Sequence, residues 1–139
     1  MMFTFYVIVG ACSAGVFTVV ARALDREQVM YGIALILAAF WYVSLDVMAG
    51  KGVAVSPVQI GICLFFVILA VIGLWKSFAL IGVGWILHVV WDVMMHSADG
   101  DPILHWGVPL CIGFDLVLGS YILHRARTIR LSSPVRGRS

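Results

Sequence analysis

Charge is scarce in this chain. Only 12% of its 139 residues are Asp, Glu, Lys or Arg, where an average soluble domain carries about 25%. That shortage excludes a water-soluble globular enzyme and a charged disordered tail. Cysteine is scarce too. Cys12, Cys63 and Cys111 all fall inside apolar runs. Thiols there behave as small buried hydrophobes, so a secreted disulfide scaffold is excluded. The net charge is only +2, with the basic residues gathered toward the C-terminus. That is too small to imply a nucleic-acid partner. Apolar and polar residues do not alternate as they would in β-barrel strands. There is no Gly-rich phosphate loop, no Ser/His/Asp order for acyl transfer and no zinc-protease signature. The several histidine boxes of membrane oxygenases and desaturases are also missing.

What is there is hydrophobic sequence. Apolar residues make up 63% of the chain, and the mean hydropathy is +1.08. The expectation is an all-α integral membrane protein, one bundle of five transmembrane helices. Its apolar segments cover about residues 2–21, 29–49, 55–75, 78–96 and 103–123. Each is about 20 residues long, which at 1.5 Å per residue crosses a core roughly 30 Å thick. Lys76-Ser77 alone separates the third and fourth, so these form a tight hairpin. Pro102 is placed to open the fifth. The expected organisation is a transmembrane domain over residues 1–124 and a basic cytoplasmic tail over 125–139. Val9-Gly10-Ala11-Cys12 has the look of a lipoprotein cleavage site but no basic region precedes it. An uncleaved helix is expected.

Orientation follows from the basic residues. With the C-terminus cytoplasmic, Arg22, Arg26, Lys76, Arg125, Arg127, Arg130, Arg136 and Arg138 lie inside, and only Lys51 lies outside. This is a strong positive-inside bias. Five spans then put the N-terminus outside. A multi-pass protein of a bacterial inner membrane is expected, in contact with the lipid bilayer. The tail is read as solvated, with contact to anionic lipid heads as the alternative.

Asp46, His88, Asp92, His96, His105 and Asp115 fall within or at the ends of these spans. An aspartate at mid-bilayer costs at least about 2.5–3.5 kcal/mol. Three of them must therefore face each other, a polar cavity or a cation. By helical rise, His96 and His105 lie near the outer surface. Asp46 and Asp92 lie roughly 6 Å below it, His88 roughly 12 Å and Asp115 roughly 18 Å. His88, Asp92 and His96 repeat every four residues and share one helix face. A His–Asp pair one turn apart can ligate one divalent ion. Two layers are expected: an outer one of Asp46, Asp92, His96 and His105, and a deeper pair, His88 with Asp115. His105 is the weakest member, since near the interface it is simply wet. Asp46, His88, Asp92, His96 and His105 are the candidate metal ligands, and His88, Asp92 and Asp115 the candidate catalytic groups.

Each of these residues has a plainer reading. A lone intramembrane His usually bonds helices together, and a lone Asp can be protonated against a neighbouring backbone. Asp99 and Asp101 read as turn residues. Trp75, Trp106 and Tyr121 suit an interfacial belt. Trp41, Tyr42, Trp85 and Trp91 lie deeper and either line the polar site or pack. Gly82 and Gly84 admit a neighbouring helix.

The stretch Gly82-Val-Gly-Trp-Ile-Leu-His88-Val-Val-Trp91-Asp92-Val-Met-Met-His96, followed by Cys111-x-x-x-Asp115, resembles a family of small bacterial integral membrane proteins of unknown function. Its pattern is G-W-x-L-H-x-x-W-D-x-x-H-H with a later Cys and Asp, and an acidic residue on an earlier helix that Asp46 matches. Met95 departs from it, standing where the family often has the first His of a pair. The resemblance implies a multi-span membrane protein with a His/Asp motif and supplies no activity.

Three functions compete. One is a metal-dependent membrane enzyme acting on a lipid or isoprenoid-like molecule; its metal-free version uses Asp92 or Asp115 as proton donor. The second is a proton or metal-ion conduit, which would need a homo-oligomer or a moving bundle because the inner third lacks polar residues. The third is a structural subunit of a membrane complex. A His/Asp site open to the outer face is favoured.

Overall fold

The computed structural model is all-α. It describes the backbone of residues 2–48, 57–98 and 102–132, and their side chains except at 42, 45, 46, 48, 95–98, 102–105 and 132. Five helices follow one another: α1 (Met2–Ala23), α2 (Glu27–Met48), α3 (Pro57–Lys76), α4 (Phe78–Ala98) and α5 (Pro102–Ser132). Prolines open α3 and α5, at the position where a missing amide costs nothing. The α1–α2 turn is closed by amides of Asp25 and Arg26 bonding the carbonyls of Arg22 and Ala21 at 3.0 and 3.2 Å. Asp25 takes the left-handed conformation this cap requires, with φ of 52°, which Asp tolerates better than most residues.

Three stretches are long and apolar enough to cross a membrane: Met2–Ala23, Pro57–Lys76 and Trp106–Leu131. In α2 and α4 the described apolar stretches, Glu27–Trp41 and Phe78–Met94, are shorter. Helix α5 does not stop where its apolar run ends near residue 123. Neither Gly nor Pro interrupts residues 120–132, and the helix runs on through the arginines to Ser132. The first part of the expected tail is therefore helical.

Helix α4 is the central element, packed against α2, α3 and α5. Helix α3 also packs on α2, and α1 lies along α5 and touches α2. Tyr31, Leu35, Phe66, Ile81, Trp85, Leu118 and Ile122 fill the core. The outward faces are apolar as well: Phe5, Val16, Leu37, Ile68 and Val90 are exposed. A bundle apolar on both sides suits lipid rather than water.

Helices α1 and α5 run in the same direction and approach unusually closely. A Cβ built on Gly10 would strike the Leu110 carbonyl, and one on Gly113 would strike the Val7 carbonyl. The contact is reciprocal, each glycine sitting on the backbone one turn before its opposite number. Only residues without a side chain allow this. Ala14, Thr18 and Ala21 continue the small buried face of α1.

Helices α2 and α5 are held apart. Among the described residues they meet through long side chains near the start of α2. The Tyr31 and Tyr121 rings lie 6.3 Å apart edge to face. The Tyr121 hydroxyl donates to Glu27 at 3.3 Å. Farther along α2 a crevice remains between the two helices.

Candidate functional site

Helix α4 brings His88 and Asp92 onto one face, one turn apart, and α5 brings Asp115 opposite. His88 Nδ1 and Asp115 Oδ2 share a hydrogen bond of 2.7 Å. The same nitrogen lies 3.5 Å from Asp92 Oδ1. All three residues are buried: His88 is 2% exposed, Asp92 0% and Asp115 2%. Apolar rings wall the imidazole. Phe66 stands edge-on at 5.0 Å and Trp85 at 6.4 Å between ring centres. Trp85 is itself fixed by a bond from its indole nitrogen to the Tyr31 carbonyl, 3.3 Å long.

The two carboxylates and the imidazole each offer one ligand atom, and these atoms lie within 4.8 Å of one another. With both carboxylates ionised and the ring neutral, the group carries two negative charges in an apolar bundle. Two added protons or one divalent cation would neutralise it. Leaving it unneutralised would cost several kcal/mol per ion. The donor set, one imidazole nitrogen and two carboxylate oxygens, suits a borderline ion such as zinc or manganese.

The crevice between α2 and α5 reaches two members of this group, His88 and Asp115. Its volume is about 260 Å³, and Leu37, Ala38, Trp41, His88, Cys111 and Asp115 line it. Its walls are apolar apart from the ends of His88 and Asp115. Leu37 and Trp41 at its rim are 67% and 43% exposed, so the crevice opens sideways, through the lateral surface of the bundle. Sequence reasoning did not single out Leu37 or Ala38. The signal for Cys111 was its position one turn before Asp115.

The expected deep pair, His88 and Asp115, is in contact. Asp92, expected in an outer layer, lies against that pair, 3.5 Å from His88. Asp46, His96 and His105 stand on α2, α4 and α5, and their side chains lie outside the described residues, as does that of Tyr42. Gly82 and Gly84 do admit neighbours: Ile122 and Leu123 against the first, Leu35 and Leu69 against the second.

Fold and site together define a membrane-like helical protein with a buried imidazole–carboxylate group. The chain belongs to the family of unknown function DUF6010, whose model matches residues 1–128. No curated protein and no solved structure matches it.

Proposed function

We propose that this is a multi-pass protein of the cell membrane that holds a divalent cation at His88, Asp92 and Asp115 and acts on a lipid or isoprenoid-like substrate. Five spans with the N-terminus outside and the C-terminus cytoplasmic remain the reading best matched to its basic residues. One observation carries the proposal: three ligating groups from two helices converge, and two of them, His88 and Asp115, line an apolar crevice that opens sideways. A structural cluster has no need of such an approach. At about 260 Å³, the crevice takes one end of a molecule rather than the whole of a drug-sized ligand, whose pockets start at about 300 Å³. The remainder would lie in the bilayer against Leu37 and Trp41.

A bound cation there supplies Lewis acidity and a more acidic water. The protein's residues orient and exclude. Phe66 and Trp85 keep water from the imidazole, and Trp41 and Leu37 guide the apolar part of the substrate. Asp46, His96 and His105 belong to the same proposal as an outer layer, one to two turns nearer the extracytoplasmic mouth.

Elemental analysis of the detergent-purified full chain tests the cation. About one equivalent of a transition metal is expected in monodisperse wild-type protein, and much less in Asp92→Asn and His88→Gln that elute identically. Wild type that stays metal-free after incubation with zinc and manganese would overturn the cation. Full occupancy in both variants would overturn the assigned ligands.

A further inference from the structure

At the other end of the bundle, where α1 turns into α2, a second cavity of about 480 Å³ lies among Arg22, Asp25, Glu27, Phe78 and Arg125. Glu27 organises it. Its side chain is only 18% exposed and receives three groups from two other helices. Arg22 Nε lies at 3.4 Å, Arg125 Nε at 3.7 Å and the Tyr121 hydroxyl at 3.3 Å. Both arginines thus approach one carboxylate most closely through Nε. The Nη end of each planar fork is left for another partner. Among the described residues no second acidic group pairs with either guanidinium, and their side chains are 57% and 43% exposed.

Asp25 lines the same cavity from the turn. No hydrogen bond or ion pair of its carboxylate is found among the described residues. The lining therefore has two positive and two negative groups, but they are not equivalent. Glu27 is committed to holding the arginines, whereas Asp25, which also lines the space, has no such commitment. A simple anion would meet Asp25, and a simple cation would meet the guanidiniums. A molecule with a phosphate beside a primary ammonium satisfies both. The position suits such a molecule. The apolar run of α1 ends here at Arg22, the level at which a spanning helix meets lipid headgroups. Phe78 and Ile129 add apolar wall for the first carbons below a headgroup.

We propose that the cavity formed by Arg22, Asp25 and Arg125 binds the phosphoethanolamine headgroup of a membrane lipid. This rests on the membrane placement proposed above and is independent of the cation.

Native mass spectrometry of the delipidated full chain tests it, with dioleoyl phosphatidylethanolamine, phosphatidylglycerol or phosphatidylcholine added at equal concentration. Wild type is expected to retain one phosphatidylethanolamine several-fold more than either alternative. Asp25→Asn keeps the left-handed cap, because Asn accepts that conformation. It should lose the preference for the ethanolamine lipid while still retaining lipid phosphate. Arg22→Gln with Arg125→Gln should lose headgroup-dependent retention altogether. Equal retention of all three lipids by wild type would overturn the proposal. So would a preference that survives Asp25→Asn. Displacement of lipid by millimolar inorganic phosphate, with no headgroup preference, would make this a soluble-anion site instead. Metal content read on the same samples should not change, which separates this result from the fate of the cation proposal.

Discussion

His88 is the residue on which the buried charges depend. It stands 2.7 Å from one carboxylate and 3.5 Å from another. Replacing it by Leu removes the only imidazole of the group and strands two acids against each other. His88→Leu should lower stability by about 3–5 kcal/mol, the cost of breaking a buried pair from one side. Replacing His88, Asp92 and Asp115 together by Leu should recover most of that loss, since an apolar set leaves nothing stranded. Thermal unfolding of the two purified variants beside wild type checks the pair of outcomes. A triple variant as unstable as the single one would mean that the group holds the helices together through its geometry. The pairing of His88 with Asp115 was legible in the sequence from depth alone. The place of Asp92 was not. Residues four apart on one helix stand one above the other, so Asp92 reaches His88 from the next turn of α4. Layers drawn from Cα rise alone separated two side chains that lie 3.5 Å apart.

At the scale of the helices, segments and breaks were readable because apolar runs of about 20 residues end at turn-forming or charged residues. Their partners were not. The tight α1–α5 contact depends on Gly10 and Gly113 falling at the same level of two parallel helices. Nothing local to either glycine announces the other. The crevice was equally hidden, since it is a gap left by the wedge of Tyr31 and Tyr121. Close approach makes a sharp prediction. Gly113→Ala must push α5 off the Val7 carbonyl, and overpacking of this kind costs roughly 1–3 kcal/mol. Gly15 lies on the same helix as Gly10, and a Cβ there meets nothing within 4 Å. Gly15→Ala should be neutral or slightly stabilising, because Ala is the better helix former. Midpoints of thermal unfolding in one detergent compare them directly. Equal loss from both would mean that α1 does not sit against α5 as described.

For the whole molecule, the parallel course of α1 and α5 has a consequence for its two ends. Two helices packed side by side in the same direction must begin on one side of a bilayer and finish on the other. The Arg22–Glu27–Arg125 cluster supports the same sense, because it brings the last turn of α1 level with the basic part of α5. If every helix crosses, the number of crossings is odd, and the basic bias sets the C-terminal end in the cytoplasm. A fluorescent protein fused to the C-terminus should then fold and fluoresce. One exported through the Sec route at the N-terminus should stay dark, while alkaline phosphatase at that N-terminus should be active. Both reporters on one side would require an even number of crossings. With an even number, α1 and α5 would cross in opposite directions, contrary to their parallel packing, and the crevice between α2 and α5 would no longer open onto lipid. The reporter pair therefore tests the substrate class together with the topology. A site reached through the bilayer needs both of its walls in the bilayer.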